Sequence, residues 1–296
     1  MATSIREQFR GKMRRPAGEV VTAPLALDPF SAILAQRAGF DTLYMGGGGL
    51  GYLLGVSEAL LTANDVADAT RRICDRVDLA VVVDGGVGFG DAIHTAQTVR
   101  MVEKAGACGI ELEDQIAPKR AHHHKDIEHL VSTEEMVGKL KAALDARVDP
   151  DFVIIARCNA PQVEGIERAM ERVRAYEEAG ADMLMIRSRS YAEFERISGG
   201  TSRPLATLSS WTVKPDAAMR AAGFALIMDP NSVTILTYLA LSKGYAALKT
   251  DPWYGFPRDE ILAARAEVQQ IIGLDELYAI EAETTEKETL ARLRSR

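Results

Sequence analysis

Cysteine is scarce in this chain. Cys74, Cys108 and Cys158 are scattered and odd in number, which suits a reducing cytoplasm better than a disulfide framework. Nothing approaches the run of roughly 18 apolar residues that a membrane span needs. The opening segment MATSIREQFRGKMRRP is basic but has no apolar core, so it reads as an amphipathic helix and not as a secretory signal. Positive charge is also short: 35 Lys and Arg stand against 42 Asp and Glu, a net −7 that argues against a nucleic-acid partner. A local cluster of arginines can still hold a small anion on such a surface. No GxGxxG opens the first strand–helix turn, which weakens a dinucleotide-binding open sheet. No linker-like stretch divides the 296 residues.

Against these absences stands a repeat. RAGFDTLYM (37–45), KAGACGIELE (104–113), EAGADMLMI (178–186) and AAGFALIMD (221–229) each place a glycine after an amphipathic stretch and before a short apolar run. The glycine supplies a left-handed helix stop, and the apolar run is a strand buried on both faces. VVTAPL (20–25), LAVVVD (79–84), DFVIIARCN (151–159) and RPLATLS (203–209) add four strands. Eight strands alternating with helices over about 250 residues predict a (β/α)8 barrel, with a doubly wound sheet as the rival. We read 1–296 as one barrel domain in which 231–296 is a helical region. The apolar faces there, in SVTILTYLALSKGYAALK and DEILAARAEVQQII, need a second subunit to cover them, giving a homodimer or homotetramer.

In such barrels chemistry sits where strands end. Those ends carry Gly46 to Gly49, Asp84, then Glu111, Glu113 and Asp114, then Arg157 and Asn159, then Arg187, Ser188 and Arg189, and finally Ser209 and Ser210. Carboxylates on adjacent strands suit Mg²⁺. Arginines opposite them, with Asn159 and Ser209 beside them, suit a carboxylate or phosphonate, and the glycine amides also receive anions. The combination describes a site for a small anionic organic acid. Plainer readings stand beside this one. GGGG is also a flexible turn, a lone Asp84 also a helix cap, and Cys158 also packing. The run His122 to His124 looks like a metal cluster, but adjacent residues do not easily converge on one ion.

LYMGGGGLGYLLG, DGGVGFGDA, GIELEDQIAPKR and FVIIARCNA, in this order, resemble the isocitrate lyase and phosphoenolpyruvate mutase superfamily over about residues 5–250. The resemblance implies a (β/α)8 barrel, Mg²⁺ or Mn²⁺, an α-oxo or 2-hydroxy acid substrate and an enolate-like intermediate. Position by position it implies Asp84 as metal anchor and Glu113 as an outer acid; Glu111, on the same strand end, is read from its place there as a further metal-site acid. Glu58 falls where the family has aspartate. Arg157 and the amides of Gly47 and Gly48, with Gly46 beside them, hold the substrate carboxylate. Lys119 and Arg120 lie on a loop that closes over it. Three positions depart from the pattern. Gly86 replaces the second acid of an Asp-x-Asp pair. Ala121 replaces the cysteine that donates a proton in the lyases, leaving His123 as the motif's remaining acid. Arg187, in IRSRS, stands where the phosphonate enzymes have histidine.

The reading that follows is a Mg²⁺-dependent carbon–carbon lyase. It cleaves or decarboxylates a small polycarboxylate and resembles an oxaloacetate decarboxylase or a methylisocitrate lyase. The alternatives are a phosphonopyruvate-type mutase or hydrolase, and a non-catalytic binder of organic acids.

Overall fold

Apolar runs of four to six residues dictate the strands, and capped amphipathic stretches dictate the helices between them. The computed structural model describes residues 3–14, 20–187, 191–208, 219 and 221–294. Its strands are β1 (Val21–Ala23), β2 (Thr42–Met45), β3 (Ala80–Asp84), β4 (Gly109–Glu113), β5 (Val153–Cys158), β6 (Met183–Ile186), β7 (Leu205–Leu208) and β8 (Phe224–Met228). All pair in parallel in the order β1-β8-β7-β6-β5-β4-β3-β2. A parallel bridge from Leu25 to Tyr44 links the ends of the series, so the sheet curls into a (β/α)8 barrel. The eight strand segments read from the sequence are these eight strands.

Short polar side chains start the surrounding helices. Asp28 caps Pro29–Arg37, Thr62 caps Ala63–Cys74, Asp91 caps Ala92–Lys104 and Ser132 caps Thr133–Ala146, each accepting backbone N–H groups of the first turn. The opening stretch is indeed a helix, Ile5–Met13, with Phe9 and Met13 buried. Arg6 reaches the Ala107 carbonyl at 2.8 Å and Arg10 reaches Asp182 at 2.7 Å. Both acceptors precede strands, so this helix closes the end of the barrel opposite the strand termini that carry the polar residues.

The backbone packs as two compact units, Met1–Ile235 and Leu236–Arg296. The second contains the rest of helix Ser232–Leu248, then Arg258–Ile271, Leu274–Glu283 and Lys287–Arg294. No helix among the described residues is long and apolar enough to cross a membrane.

Candidate active site

Register brings the acids together. Asp84 on β3 pairs with Glu111 on β4, and Glu113 pairs with Arg157 on β5. Side chains alternate along a strand, so Glu111 and Glu113 share a face. Four carboxylates (Asp84, Glu111, Glu113 and Glu58) and the cations of Lys119 and Arg157 interlock there. Lys119 Nζ lies 2.6 Å from Glu113 Oε1 and 3.1 Å from Glu58 Oε1. Arg157 Nη1 donates to Glu111 Oε1 at 2.8 Å, and its Nε stands 3.6 Å from Glu113 Oε2. His123 Nε2 closes the group against Glu58 Oε1.

The glycine run is the first turn of a helix, Gly47–Leu53, and not a free loop. Gly47 N donates to Asp84 Oδ2 at 3.1 Å, and a Cβ at position 47 would stand 3.1 Å from that same oxygen. Glycine at 47 therefore lets the backbone approach the carboxylate without displacing it. The other oxygen, Oδ1, accepts from Gly86 N at 2.8 Å. Gly86 holds φ +51, and a Cβ at position 86 would meet nothing within 4 Å, so the place of the family's second acid is open space beside Asp84. Asp84 is thus held by two amides and meets no other acid from its own loop.

Electrostatics divides the carboxylates. Burial raises Asp84 above the usual range; Lys119 offsets part of this, while Glu58 and Glu113 add to it. Burial pushes Glu111 up to about 8 despite Arg157. Burial also opposes charge on Glu113, but Lys119 and Arg157 prevail and hold it low. Glu58 is held well below the usual range against its own burial, by the His123 hydrogen bond and the Lys119 charge. In return His123 is raised by that bond although burial works the other way, and Lys119 is raised by Glu113 and Glu58.

These groups fit an oxygen-preferring divalent cation. The charge of Asp84 and Glu111 is opposed chiefly by burial and further by neighbouring acids, and Lys119 already sits among the acids as a compensating cation. Hard cations take such carboxylate oxygens.

The remaining candidates fall in different places. Asn159 is fully buried; its Nδ2 donates to Glu113 Oε2 at 3.1 Å and its Oδ1 accepts from Arg157 Nε at 3.2 Å, so it braces those two side chains. Arg120 contributes its carbonyl, which receives His123 Nδ1 at 2.8 Å, while its own side chain is exposed. Arg187 bonds Glu128 at 2.7 Å and Asp126 at 2.9 Å, so its charge is already met by two acids. Gly46 caps the glycine helix. Ser209, with Ser188, Arg189 and Ser210, lies outside the described residues. Cys158 is buried, and burial raises its thiol far above the usual range, as packing requires.

Two cavities open at this mouth. One of about 310 Å³ is lined by Gly47, Glu58, Asp84, Gly86, Phe89 and Lys119 among others. The second, of about 430 Å³, is lined by His123, His124, Arg157, Arg187, Thr207 and Pro230 among others.

Four contributors were not singled out from the sequence. Tyr44 Oη donates to Glu111 Oε2 at 3.4 Å, and Gln115 Nε2 to Glu113 Oε2 at 3.1 Å. Glu128 receives Arg187. Lys139, almost fully buried on the helix Thr133–Ala146, donates to the Val87 carbonyl at 2.5 Å and so ties down the loop after Asp84. Gln115 lies within the segment GIELEDQIAPKR that carries the family resemblance. The other three sit in ordinary strand, loop and helix contexts and carry no local signal.

Glu111 provides a pH test. Its folded value near 8 lies above its ordinary 4.5, so the stability it contributes is complete below about pH 4.5 and is lost as pH rises through 8. Glu111→Gln keeps the shape and an acceptor for Arg157 without titrating. Its melting temperature relative to the parent, in chelator, is expected to rise between pH 4.5 and 8 and then level off. A constant difference across that range would show that Glu111 ionises without cost.

A parallel barrel thus carries a basin of acids and an arginine at its C-terminal mouth, where barrels of this kind place their active sites. Comparison with known proteins identifies the family. The Phosphoenolpyruvate phosphomutase family matches residues 11–249. The 2,3-dimethylmalate lyase of Eubacterium barkeri is 35% identical over 270 residues, covering 89% of this chain and 93% of that protein. The 2-methylisocitrate lyase of Salmonella typhimurium is 38% identical over 234 residues, 76% of this chain and 79% of its own length. Among solved structures, phosphonopyruvate hydrolase in complex with oxalate and Mg²⁺ superposes with a TM-score of 0.83 at 29% identity, covering 95% of this chain and 99% of that one. The chain belongs to the isocitrate lyase/phosphoenolpyruvate mutase superfamily, and its named relatives place it among the carboxylate lyases.

Proposed function

We propose that the protein is a Mg²⁺- or Mn²⁺-dependent lyase that decarboxylates or cleaves a small α-oxo or 2-hydroxy polycarboxylate, with oxaloacetate-type decarboxylation favoured. The observation that carries this preference is Ala121. It begins the loop turn beside Lys119 and His123, and its methyl group cannot transfer a proton. Decarboxylation needs no protein acid at that position, because solvent can protonate the product.

Asp84 would hold the cation, with Glu113 and Glu58 beside it. A cation held there would supply Lewis-acid polarisation and positive charge for the negative charge that bond cleavage develops. Arg157 grips a substrate carboxylate, and the Gly48 amide in the first turn of the glycine helix, which has no intrahelical acceptor, supplements it, Gly47 N being taken by Asp84. Lys119 supplies further positive charge from between Glu58 and Glu113. His123, whose hold on a proton is strengthened by its hydrogen bond to Glu58, lines the larger cavity and is the loop's candidate acid.

A phosphonopyruvate-type reaction is the second reading. The phosphonopyruvate hydrolase likeness and Arg187 favour it, whereas the acids already on Arg187 weigh against it. Turnover of a panel with Mg²⁺ or Mn²⁺ tests the assignment: oxaloacetate, 2-methylisocitrate, 2,3-dimethylmalate and phosphonopyruvate. Release of CO₂ and pyruvate from oxaloacetate supports the first reading and release of phosphate the second. Binding of these acids without turnover would leave a binder only.

We also propose a homodimer or homotetramer in the cytoplasm. Helix Ser232–Leu248 has no acidic residue in its first turn, and Leu236, Tyr238, Leu239 and Tyr245 are exposed on it. Surfaces of this kind are covered in stable assemblies. Sedimentation at micromolar concentration is expected to show two or four copies; a monomer would refute the assembly.

A further inference from the structure

The histidine run is only partly used by the chemistry above. Glu58, His123 and His124 each offer one ligand atom, and the three atoms lie within 4.8 Å of one another. The objection that neighbouring histidines diverge is met by the local backbone. Residues Ala121–Lys125 form a 3₁₀ turn that ends at Asp126 with φ 58. The turn lays the rings of His123 and His124 together, with centroids 3.9 Å apart at 39°. His122 is not part of the group.

The imidazoles are also oriented. His123 Nδ1 donates its proton to the Arg120 carbonyl, which directs Nε2 at Glu58 Oε1. A backbone carbonyl on the second ring nitrogen is the usual way a ligating histidine is held. His124 Nε2 lies 3.2 Å from Ser57 Oγ, next to Glu58 in the chain. The loop and the Ser57–Glu58 segment therefore already meet at this point.

We propose that Glu58, His123 and His124 form a second cation site, which shares Glu58 with the Asp84 basin but none of its other acids, and which takes a borderline divalent ion of the Zn²⁺ class. Two imidazoles and one carboxylate are a zinc ligand set with a position left for water. Mg²⁺, which demands oxygen ligands in an octahedron, is poorly served by it. An ion bound there fastens the loop bearing Lys119 to the segment after β2. It also competes with Lys119 for Glu58 Oε1, so its effect on a reaction run with Mg²⁺ is inhibitory. The site does not depend on which acid the enzyme turns over.

Co²⁺ is the probe, titrated into the full chain with Mg²⁺ in excess to occupy the Asp84 basin. One equivalent is expected to give visible d–d absorption that Zn²⁺ abolishes. His124→Ala and Glu58→Gln should each weaken Co²⁺ by about tenfold or more, with His122→Ala and Asp84→Asn close to the parent. Circular dichroism confirms that each variant is folded. Absorption unaltered in His124→Ala, lost in Asp84→Asn, or absent from the parent would overturn the proposal.

Discussion

Asp84→Ala is expected to abolish metal-dependent turnover while leaving the barrel folded. Asp84 terminates β3, and it accepts from two amides, Gly47 N of the glycine helix at 3.1 Å and Gly86 N of its own loop at 2.8 Å. Burial raises its pKa, so in the absence of a cation its charge is a liability to the fold and not a support. Loss of its carboxylate leaves those two amides unpaired, a cost of about 1–3 kcal/mol each, which a barrel of this size can absorb. The loss in rate is greater. Without Asp84 the cation it would hold is lost; one group that stabilises developing negative charge is worth about 10²–10³ in rate, and no second acid at position 86 is present to retain the ion. Steady-state turnover across a Mg²⁺ titration, with circular dichroism on the same samples, separates the two effects. Undiminished turnover at low Mg²⁺ would remove Asp84 from the role of anchor.

The second large effect lies on the loop, and its direction identifies the reaction. General acids contribute roughly 10²–10⁴-fold. Where the reaction is a lyase cleavage, His123 must supply the proton that a cysteine supplies elsewhere. His123→Ala should then lower turnover by that order and flatten the pH profile near neutrality. The structure gives this direction a basis, since Glu58 raises the His123 pKa. The imidazolium and its pairing persist below the ordinary value of 6.5 and are lost as pH rises through the higher folded value. Where the reaction is decarboxylation, His123→Ala should matter little, whereas Arg157→Ala, which removes the cation paired with Glu111, should cripple substrate binding. Ala121→Cys completes the test. Gained cleavage of 2-methylisocitrate marks a remodelled lyase; no gain, with oxaloacetate decarboxylation intact, marks the decarboxylase. Inactivity of the parent and both variants on every acid would exclude both.

The barrel was legible from local pattern, because a strand buried on both faces must be apolar throughout and a helix that stops before it needs a glycine. Both signals lie within about ten residues of chain. The acids at strand ends were legible for the same reason: a carboxylate that terminates a run such as VVVD stands out against it. Partnership was not. Lys119 stands between Glu58 and Glu113, residues 61 and 6 positions away along the chain, and only the closed barrel and the turn of the loop bring them together. Arg187 reads in sequence as a free cation for substrate, yet Glu128 and Asp126 reach it across the mouth. The glycine run reads as a loop, yet it is a helix start whose amide is spent on Asp84. Tyr44 and Lys139 carry no mark in their own segments. Composition and periodicity decide which residues are buried and which end a strand. Which charge neutralises which, and so which acid keeps its proton, depends on distances of a few ångströms between remote segments, and tertiary packing alone sets those.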